Sequence, residues 1–405
     1  MKKNLLIVSV LFITILMYSA EIEVDNTEWT CDPLPYFYSN NRLSTVAAGR
    51  GYTGVADTGN LSLSTLNPAA FYTEKKFQFY MEYSAKNDIA FLKNYNEYSE
   101  FKKNKYGNII GFGVNLDEFQ GGLFFSQPKS YKFAMKVYYW DYYNNEETSS
   151  VLTAKQSQGS LTIPISYYFA DMIRLGVNLD VSKFVSTDPD VMYYSNGSPV
   201  IMDGKVEFFM GRFKYGAVLF PEKNYSLGIS FLPEVKKVIY ADYGSVGNFK
   251  HKENSFPLEL IVGGKYNPDF QFLRAITAFF DYKYSKNSGY DYITDRSDFH
   301  LGLEFKPEQR FVVRSGVFTQ HEYRDMEATY VFEDQNGNEQ EDVYWHDESN
   351  NDQIFVTLGA SYIWKSFKVN IAYMNGSMLS TGDTKQGYFN MGFEFNFDNP
   401  NKVRQ

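Results

Sequence analysis

Residues 161–182 read LTIPISYYFADMIRLGVNLDVS. Leu161, Ile163, Ile165, Tyr167 and Phe169 alternate with Thr162, Pro164, Ser166 and Tyr168. After Ala170-Asp171 the alternation resumes: Ile173, Leu175, Val177, Leu179 and Val181 interleave with Arg174, Gly176, Asn178, Asp180 and Ser182. Successive side chains on a strand point to opposite faces, so each run has one apolar and one polar face. Two such runs joined by a short break read as an antiparallel pair.

The same period recurs at both ends of the chain. Phe77, Phe79, Met81 and Tyr83 interleave with Gln78, Tyr80 and Glu82. Phe389, Met391, Phe393, Phe395 and Phe397 interleave with Asn390, Gly392, Glu394 and Asn396, so the phenylalanine set is expected to face lipid and Asn390 to tolerate charge. Beyond the first residues, helical spacing is confined to a short turn around Leu43 to Ala48.

The connections alternate in length. Short turns fall at Ala170-Asp171, Pro221 to Asn224, Asn267 to Asp269, Pro307 to Gln309 and Lys365-Ser366. Longer polar loops fall near 144–156, 186–204, 236–254, 285–297, 321–351 and 375–386. This rhythm predicts an all-β, up-and-down transmembrane barrel of about 14 strands, with both ends on the short-turn side. The count treats Gly107 to Gln127 as one bent strand, with the turn at Pro128-Lys129-Ser130. A β-sandwich would have shorter strands and no such asymmetry. Negative mean hydropathy is compatible, because a barrel presents only every second residue to lipid.

The chain begins with Lys2-Lys3, an apolar run from Leu5 to Met17, and Ser19-Ala20, which reads as a secretory signal peptide over 1–20. Cys31 is the single cysteine, which excludes an internal disulfide and a cysteine-built metal site. The net charge is −9, and loss of Lys2 and Lys3 makes it more acidic, which argues against nucleic acid as a partner. With 34 Tyr, 36 Phe and 4 Trp, the chain is rich in the side chains that suit a lipid headgroup boundary.

One stretch is unlike the rest: AAGRGYTGVADTGNLSLSTLNPAAF, Ala47 to Phe71. No strand precedes it and it lacks a phosphate-loop lysine, which excludes a nucleotide cradle. Gly51, Gly54 and Gly59 permit turns that other residues resist, and Val55, Leu61, Leu63 and Leu66 give it apolar surface to bury. Both properties fit a compact plug over 21–74 ahead of a barrel over 75–397 and a tail over 398–405. The run from Gly49 to Asp57, followed by Asn67-Pro68-Ala69 leading into a strand, resembles the FadL family of outer-membrane transporters for hydrophobic compounds. PorV-like barrels of protein-secretion machinery share this opening.

The resemblance implies passive uptake of hydrophobic molecules, such as long-chain fatty acids or aromatic hydrocarbons, past a plug in the outer membrane of a diderm cell. It gives Gly49, Arg50, Gly51, Gly54, Asp57, Asn67, Pro68 and Ala69 a plug and gating role, and requires no cofactor. Outer-membrane lipid and lipopolysaccharide surround such a barrel. The alternatives are a PorV-like barrel with a protein partner and a general diffusion porin. FadL-type chains commonly end on an aromatic, whereas here eight residues follow Phe397.

Catalytic patterns are missing from the sequence: no H-E-x-x-H, G-x-S-x-G or phosphate-loop motif occurs. Of the histidines, His300 alternates with Phe299 and Leu301 and is expected in the lumen, whereas His251, His321 and His346 fall in or near loops. The acidic run Glu333 to Asp342 misses calcium-loop spacing and reads as a hairpin around Asn336-Gly337, and no metal site is expected. Arg174, Asp180, Glu259, Lys265, Glu304, Lys368 and Glu394 fall on the lumen parity, where they are expected to pair and hydrate. Ile261 and Phe279 share that parity, which a water-filled porin would not favour and a greasy pocket would.

Overall fold

A computed structural model describes residues 42–73, 75–86, 104–141, 146–169, 172–193, 199–221, 223–242, 248–268, 275–286, 295–321, 327–333, 339–345, 352–376, 378–379 and 387–397. The leader expected over 1–20, Cys31, the first half of the expected plug and the tail after Phe397 lie outside these residues.

Eighteen strands are described. They are β1 Phe77–Lys86, β2 Asn104–Leu116, β3 Phe119–Asp141, β4 Glu146–Phe169, β5 Ile173–Tyr193 and β6 Pro199–Leu219. Then come β7 Tyr225–Leu232, β8 Val235–Asp242, β9 Asn248–Phe256, β10 Leu258–Tyr266, β11 Ile276–Lys286 and β12 Arg296–Glu308. The last six are β13 Phe311–Gln320, β14 Glu327–Glu333, β15 Glu339–Trp345, β16 Gln353–Trp364, β17 Phe367–Asn375 and β18 Gly387–Phe397.

Antiparallel neighbours follow chain order, β1 pairs with β18, and the β5–β6 pairing completes the circle. The closed barrel has 14 strands, because β8–β9 and β14–β15 are hairpins in the long connections after β7 and β13. Closure pairs every strand edge, which the dry hydrocarbon of a bilayer demands. The even count puts the start of β1 and the end of β18 together on the short-turn side, here called periplasmic.

One turn differs from the sequence reading. The break is at Asp117-Glu118, and residues 128–130 continue β3. Asp117 takes a left-handed φ of 65° and its N–H donates to Asn115 Oδ1 at 2.8 Å, which closes a two-residue turn. Pro128 falls where the β3–β4 register shifts between Ser126 and Lys129, so its missing N–H deprives no ladder bond. The count stays even because one turn replaces the other. The loops differ too. Strands β3 to β6 run on through much of 144–156 and 186–204, two further loops hold hairpins, and the β1–β2 connection at 87–103 joins the long set.

Alternation survives intact in the fold. β7 exposes every second residue along its whole length, including Leu227, Ile229 and Phe231. Outward residues elsewhere include Phe112, Leu175, Phe280, Leu301, Leu303, Leu358 and Ile371. Tyr225, Tyr266, Tyr362, Trp364 and Phe397 are exposed at the periplasmic ends of their strands and form an aromatic girdle. An apolar belt with such a rim makes this a membrane-spanning barrel. The inward faces carry the buried polar set, and five of the seven lumenal charges expected to pair do so: Glu259 with Lys283 at 3.0 Å, Lys265 with Asp57 at 3.1 Å, Glu304 with Arg314 at 2.7 Å, and Lys368 with Glu394 at 3.2 Å, whereas Asp180 accepts from the Thr162 hydroxyl and Arg174 lies over the Tyr72 and Tyr168 rings.

Candidate functional site

Residues 42–73 lie inside the barrel and have little regular structure. Their elements are α1, Thr45–Ala48, and two 3-10 turns, Leu61–Thr65 and Pro68–Ala70. Side chains start each one: Ser44 accepts from Ala47 N–H, Asn60 from Ser62 N–H and Asn67 from Ala69 N–H, with Pro68 in the first position of the last turn. Gly51, Gly54 and Gly59 all have positive φ, the freedom for which glycine was read there. Ala47, Ala48, Val55, Leu61, Leu63, Ala69, Ala70 and Phe71 are fully buried. Outside the stretch 57–59, the segment therefore packs closely against the wall.

Inward glycines on successive strands make that fit possible. A Cβ on Gly216 would stand 1.8 Å from Asn67 Oδ1, and one on Gly176 would stand 2.3 Å from Ala69 N. On Gly228 it would meet the Val55 carbonyl oxygen at 2.2 Å, on Gly302 the Arg50 carbonyl oxygen at 2.3 Å, and on Gly316 the Gly51 nitrogen at 2.3 Å. Gly176 is paired with Gly216, Gly228 with Gly263 and Gly302 with Gly316, so the glycines form a belt at one level.

Buried carboxylates of the wall hold the segment's amides. Asp281 Oδ2 accepts from the N–H groups of Gly54 at 2.7 Å and Val55 at 3.0 Å. Glu82 Oε2 accepts from Thr45 N–H at 2.6 Å and from Tyr80 OH. Glu394 accepts from Asn60, Gln78 and Asn370 side-chain amides. Gly51 N–H donates to Thr357 Oγ1 at 2.8 Å, and its carbonyl lies 2.9 Å from His300 Nδ1.

Arg50 is the charged centre. It is buried, pairs with Asp57 at 2.8 Å and Glu304 at 3.6 Å, and stacks its guanidinium 4.0 Å above the Phe279 ring. Lys265 pairs with Asp57 at 3.1 Å. Burial alone would raise the Asp57 pKa, but Arg50 and Lys265 hold it well below the ordinary carboxylate range. Asp57 therefore contributes to docking in full above the unfolded carboxylate pKa, about 4, and loses that contribution as pH falls through the lowered value. Asp57→Asn is expected to weaken docking at neutral pH by about 1.5–3 kcal/mol. Limited proteolysis measures it: cleavage between Gly49 and Ala70 should be faster than in wild type, and equal rates would show that the pair holds nothing.

On the extracellular side of the belt the barrel interior holds buried aromatic stacks. His300, Phe318 and Phe355 stack at centroid distances of 5.3 and 4.6 Å, and Tyr52 and Tyr388 flank them. The Arg42 guanidinium lies 5.1 Å from the Phe318 ring centroid. A second pile joins Phe184, Phe208 and Phe256 at 5.0 and 5.7 Å. Arg212 reaches the Pro257 carbonyl at 2.8 Å, and Lys214 Nζ donates to the Thr65 carbonyl at 2.7 Å.

Ten of the eleven residues singled out in the sequence meet at the belt. Gly49 packs on Gly359, Arg50 bridges Asp57 and Phe279, and His300 holds Gly51. Asn67 donates to the Val55 and Ala217 carbonyls, while Pro68 and Ala69 fill the space at Gly176. Ile261 is inward and buried but sits two residues above Gly263, outside this group. The glycine belt, Glu82 and Asp281 were missed; the available signal was glycine recurring on inward parity in successive strands.

No protein-family model matches the chain, and no curated protein sequence matches it. Solved structures do. A Pseudomonas aeruginosa FadL homologue is 14% identical, over 89% of this chain and 99% of that one, with a TM-score of 0.59. The Ralstonia pickettii toluene transporter TbuX is 13% identical, over 87% and 98%, with a TM-score of 0.61. The CymD monoaromatic hydrocarbon channel is 12% identical, over 88% and 98%, with a TM-score of 0.58. At these identities the likeness establishes the shared fold, a FadL-type barrel.

Proposed function

We propose that this barrel passes hydrophobic molecules across the outer membrane by diffusion, with residues 21–74 as a plug that gates the path. The carrying observation is the barrel interior: a segment is packed across it, and buried aromatic stacks rather than hydrated polar walls lie beside and above that segment. An open polar pore would have neither. The named neighbours include transporters of toluene and a monoaromatic hydrocarbon channel, which supports a neutral or amphiphilic hydrophobic substrate. Nothing in this role asks for catalysis or a cofactor.

The joint at Asn67-Pro68 offers the test. Asn67 is fully buried and ties the segment to the β6 backbone at Ala217, while Pro68 fixes the turn that follows. In Asn67→Ala/Pro68→Gly the barrel is expected to insert normally while uptake of toluene and of a fluorescent fatty acid changes several-fold. Unchanged uptake of both, with the barrel intact, would remove gating from the reading. A wild type that moved neither probe but bound secreted proteins would replace it with the PorV-like role.

A further inference from the structure

The Arg42 guanidinium stands among four aromatic rings. Its central carbon is 5.1 Å from the ring centroid of Phe318 on β13, 5.6 Å from that of Phe355 on β16, 5.9 Å from that of Tyr388 on β18 and 5.4 Å from that of Tyr52 in the inner segment. All four lie within the roughly 6 Å over which a ring face attracts a cation. Phe318, Phe355 and Tyr388 are buried, whereas Arg42 and Tyr52 are half-buried. The barrel therefore walls the box, and its accessible side is that of the inner segment. Tyr52 closes it from a left-handed φ of 56°, a conformation that is costly for a bulky side chain. Arg50, the other arginine of the segment, has Asp57 and Glu304 beside its one ring. Arg42 has ring faces on several sides, and its Nε is buried with no hydrogen-bond partner among the described residues. A charged group with an unmet donor is a poor filler for apolar space, where leucine or methionine would pack at lower cost. The four faces fit a weakly hydrated cation that carries no N–H to be left unmet.

We infer that this box is a binding site for an organic cation of the quaternary ammonium class, and that Arg42 is its internal occupant, displaced when such a cation binds. A trimethylammonium head spreads its charge over methyl groups, so ring faces satisfy it without any hydrogen bond. Such a site concerns what the barrel interior recognises, beyond the transport reading and independent of whether the cation crosses.

Isothermal titration of benzyltrimethylammonium into the full-length protein, in a nonionic detergent, tests the site. Arg42→Ala removes the internal competitor and should bind at one site about tenfold or more tighter than wild type. Arg42→Lys refills the box with a cation and should bind like wild type. Phe355→Leu added to Arg42→Ala keeps an apolar side chain but removes a ring face, and should lose most of the gain. Neopentylbenzene, in which carbon replaces the charged nitrogen, should not compete. Arg42 belongs to no strand, so its variants should insert, and heat-resistant compact migration on a gel checks this. A second readout uses the wild-type chain. Modification of Arg42 by phenylglyoxal, followed by peptide mass spectrometry, should quicken several-fold with the cation present and stay unchanged with neopentylbenzene. Equal affinity in wild type and folded Arg42→Ala, or a modification rate that the cation leaves unchanged, overturns the inference. Competition by neopentylbenzene as strong as the cation's own binding also overturns it, since the charge would then be idle. A barrel that moves toluene and fails these tests refutes the box alone, whereas one that passes them and moves no hydrophobic probe refutes the transport reading alone.

Discussion

Gly302→Val is expected to leave the barrel closed and to drive residues 42–73 out of it. A Cβ at this position would stand 2.3 Å from the Arg50 carbonyl oxygen and 2.6 Å from Thr53 Oγ1, and valine adds two methyl groups beyond it. The obstructed atom is backbone, so no rotamer change relieves the contact. Either the wall or the segment must give way. The wall at Gly302 is held by continuous ladders to β11 and β13, whereas the segment is held there mainly by side-chain bonds and packing. The segment should yield. Overpacking costs about 1–3 kcal/mol by itself. Displacement also parts Arg50 from Glu304, and a buried charge that loses its partner costs about 3–5 kcal/mol. Two measurements read the outcome: protease cleavage between Gly49 and Ala70, and ion conductance across a planar bilayer. Both should rise sharply. Gly264→Val is the control, because its Cβ would point to lipid with its nearest neighbour at 3.7 Å. If Gly302→Val matched Gly264→Val in both assays, the belt would not be what seats the segment.

The barrel was legible in the sequence because its physics is local. Each strand needs only period two, and that period survives in single strands such as Tyr225 to Leu232. The β2–β3 turn was not legible for the same reason. Asp117-Glu118 lacks the Gly or Pro that marks most turns, while Pro128 imitates one from inside a strand. Only the cross-strand register separates the two cases. The belt was harder still. Gly176 and Gly392 read as members of a polar face, since a glycine inside a strand carries no sign of what approaches it. Its meaning comes from a segment more than a hundred residues away.

The Asn67-Pro68-Ala69 motif shows the opposite case. Its local content, an amide cap followed by a fixed φ, can be read directly from the residues. That the same amide also reaches the Ala217 carbonyl, 150 positions along the chain, cannot.

Phe393→Arg is expected to destabilise the barrel by about 2–4 kcal/mol, the range for a cation on the lipid face near the bilayer midplane. Phe393 is the middle of the outward set Phe389, Met391, Phe393, Phe395 and Phe397 on β18. Its cross-strand partners are Met81 on β1 and Val369 on β17, and the Phe367 ring stacks nearby at 6.1 Å. No anion faces lipid among these neighbours, so a guanidinium there would have neither water nor a counter-charge. Asn390 cannot serve as the tolerant control that its parity implies. It is fully buried, and its Nδ2 donates to the Arg42 carbonyl at 2.5 Å, so a charge there would disturb the inner segment instead. Gln158 is the better choice: it is inward, only partly buried, and hydrogen-bonded to Ser160 and Ser182. Gln158→Arg should cost less than about 1 kcal/mol, because a lumenal guanidinium keeps polar partners. Urea unfolding of both variants from lipid vesicles separates the two faces. Similar losses in both would mean that the outward parity of β18 is not the lipid face, and the lipid belt would have to be redrawn from that strand outward.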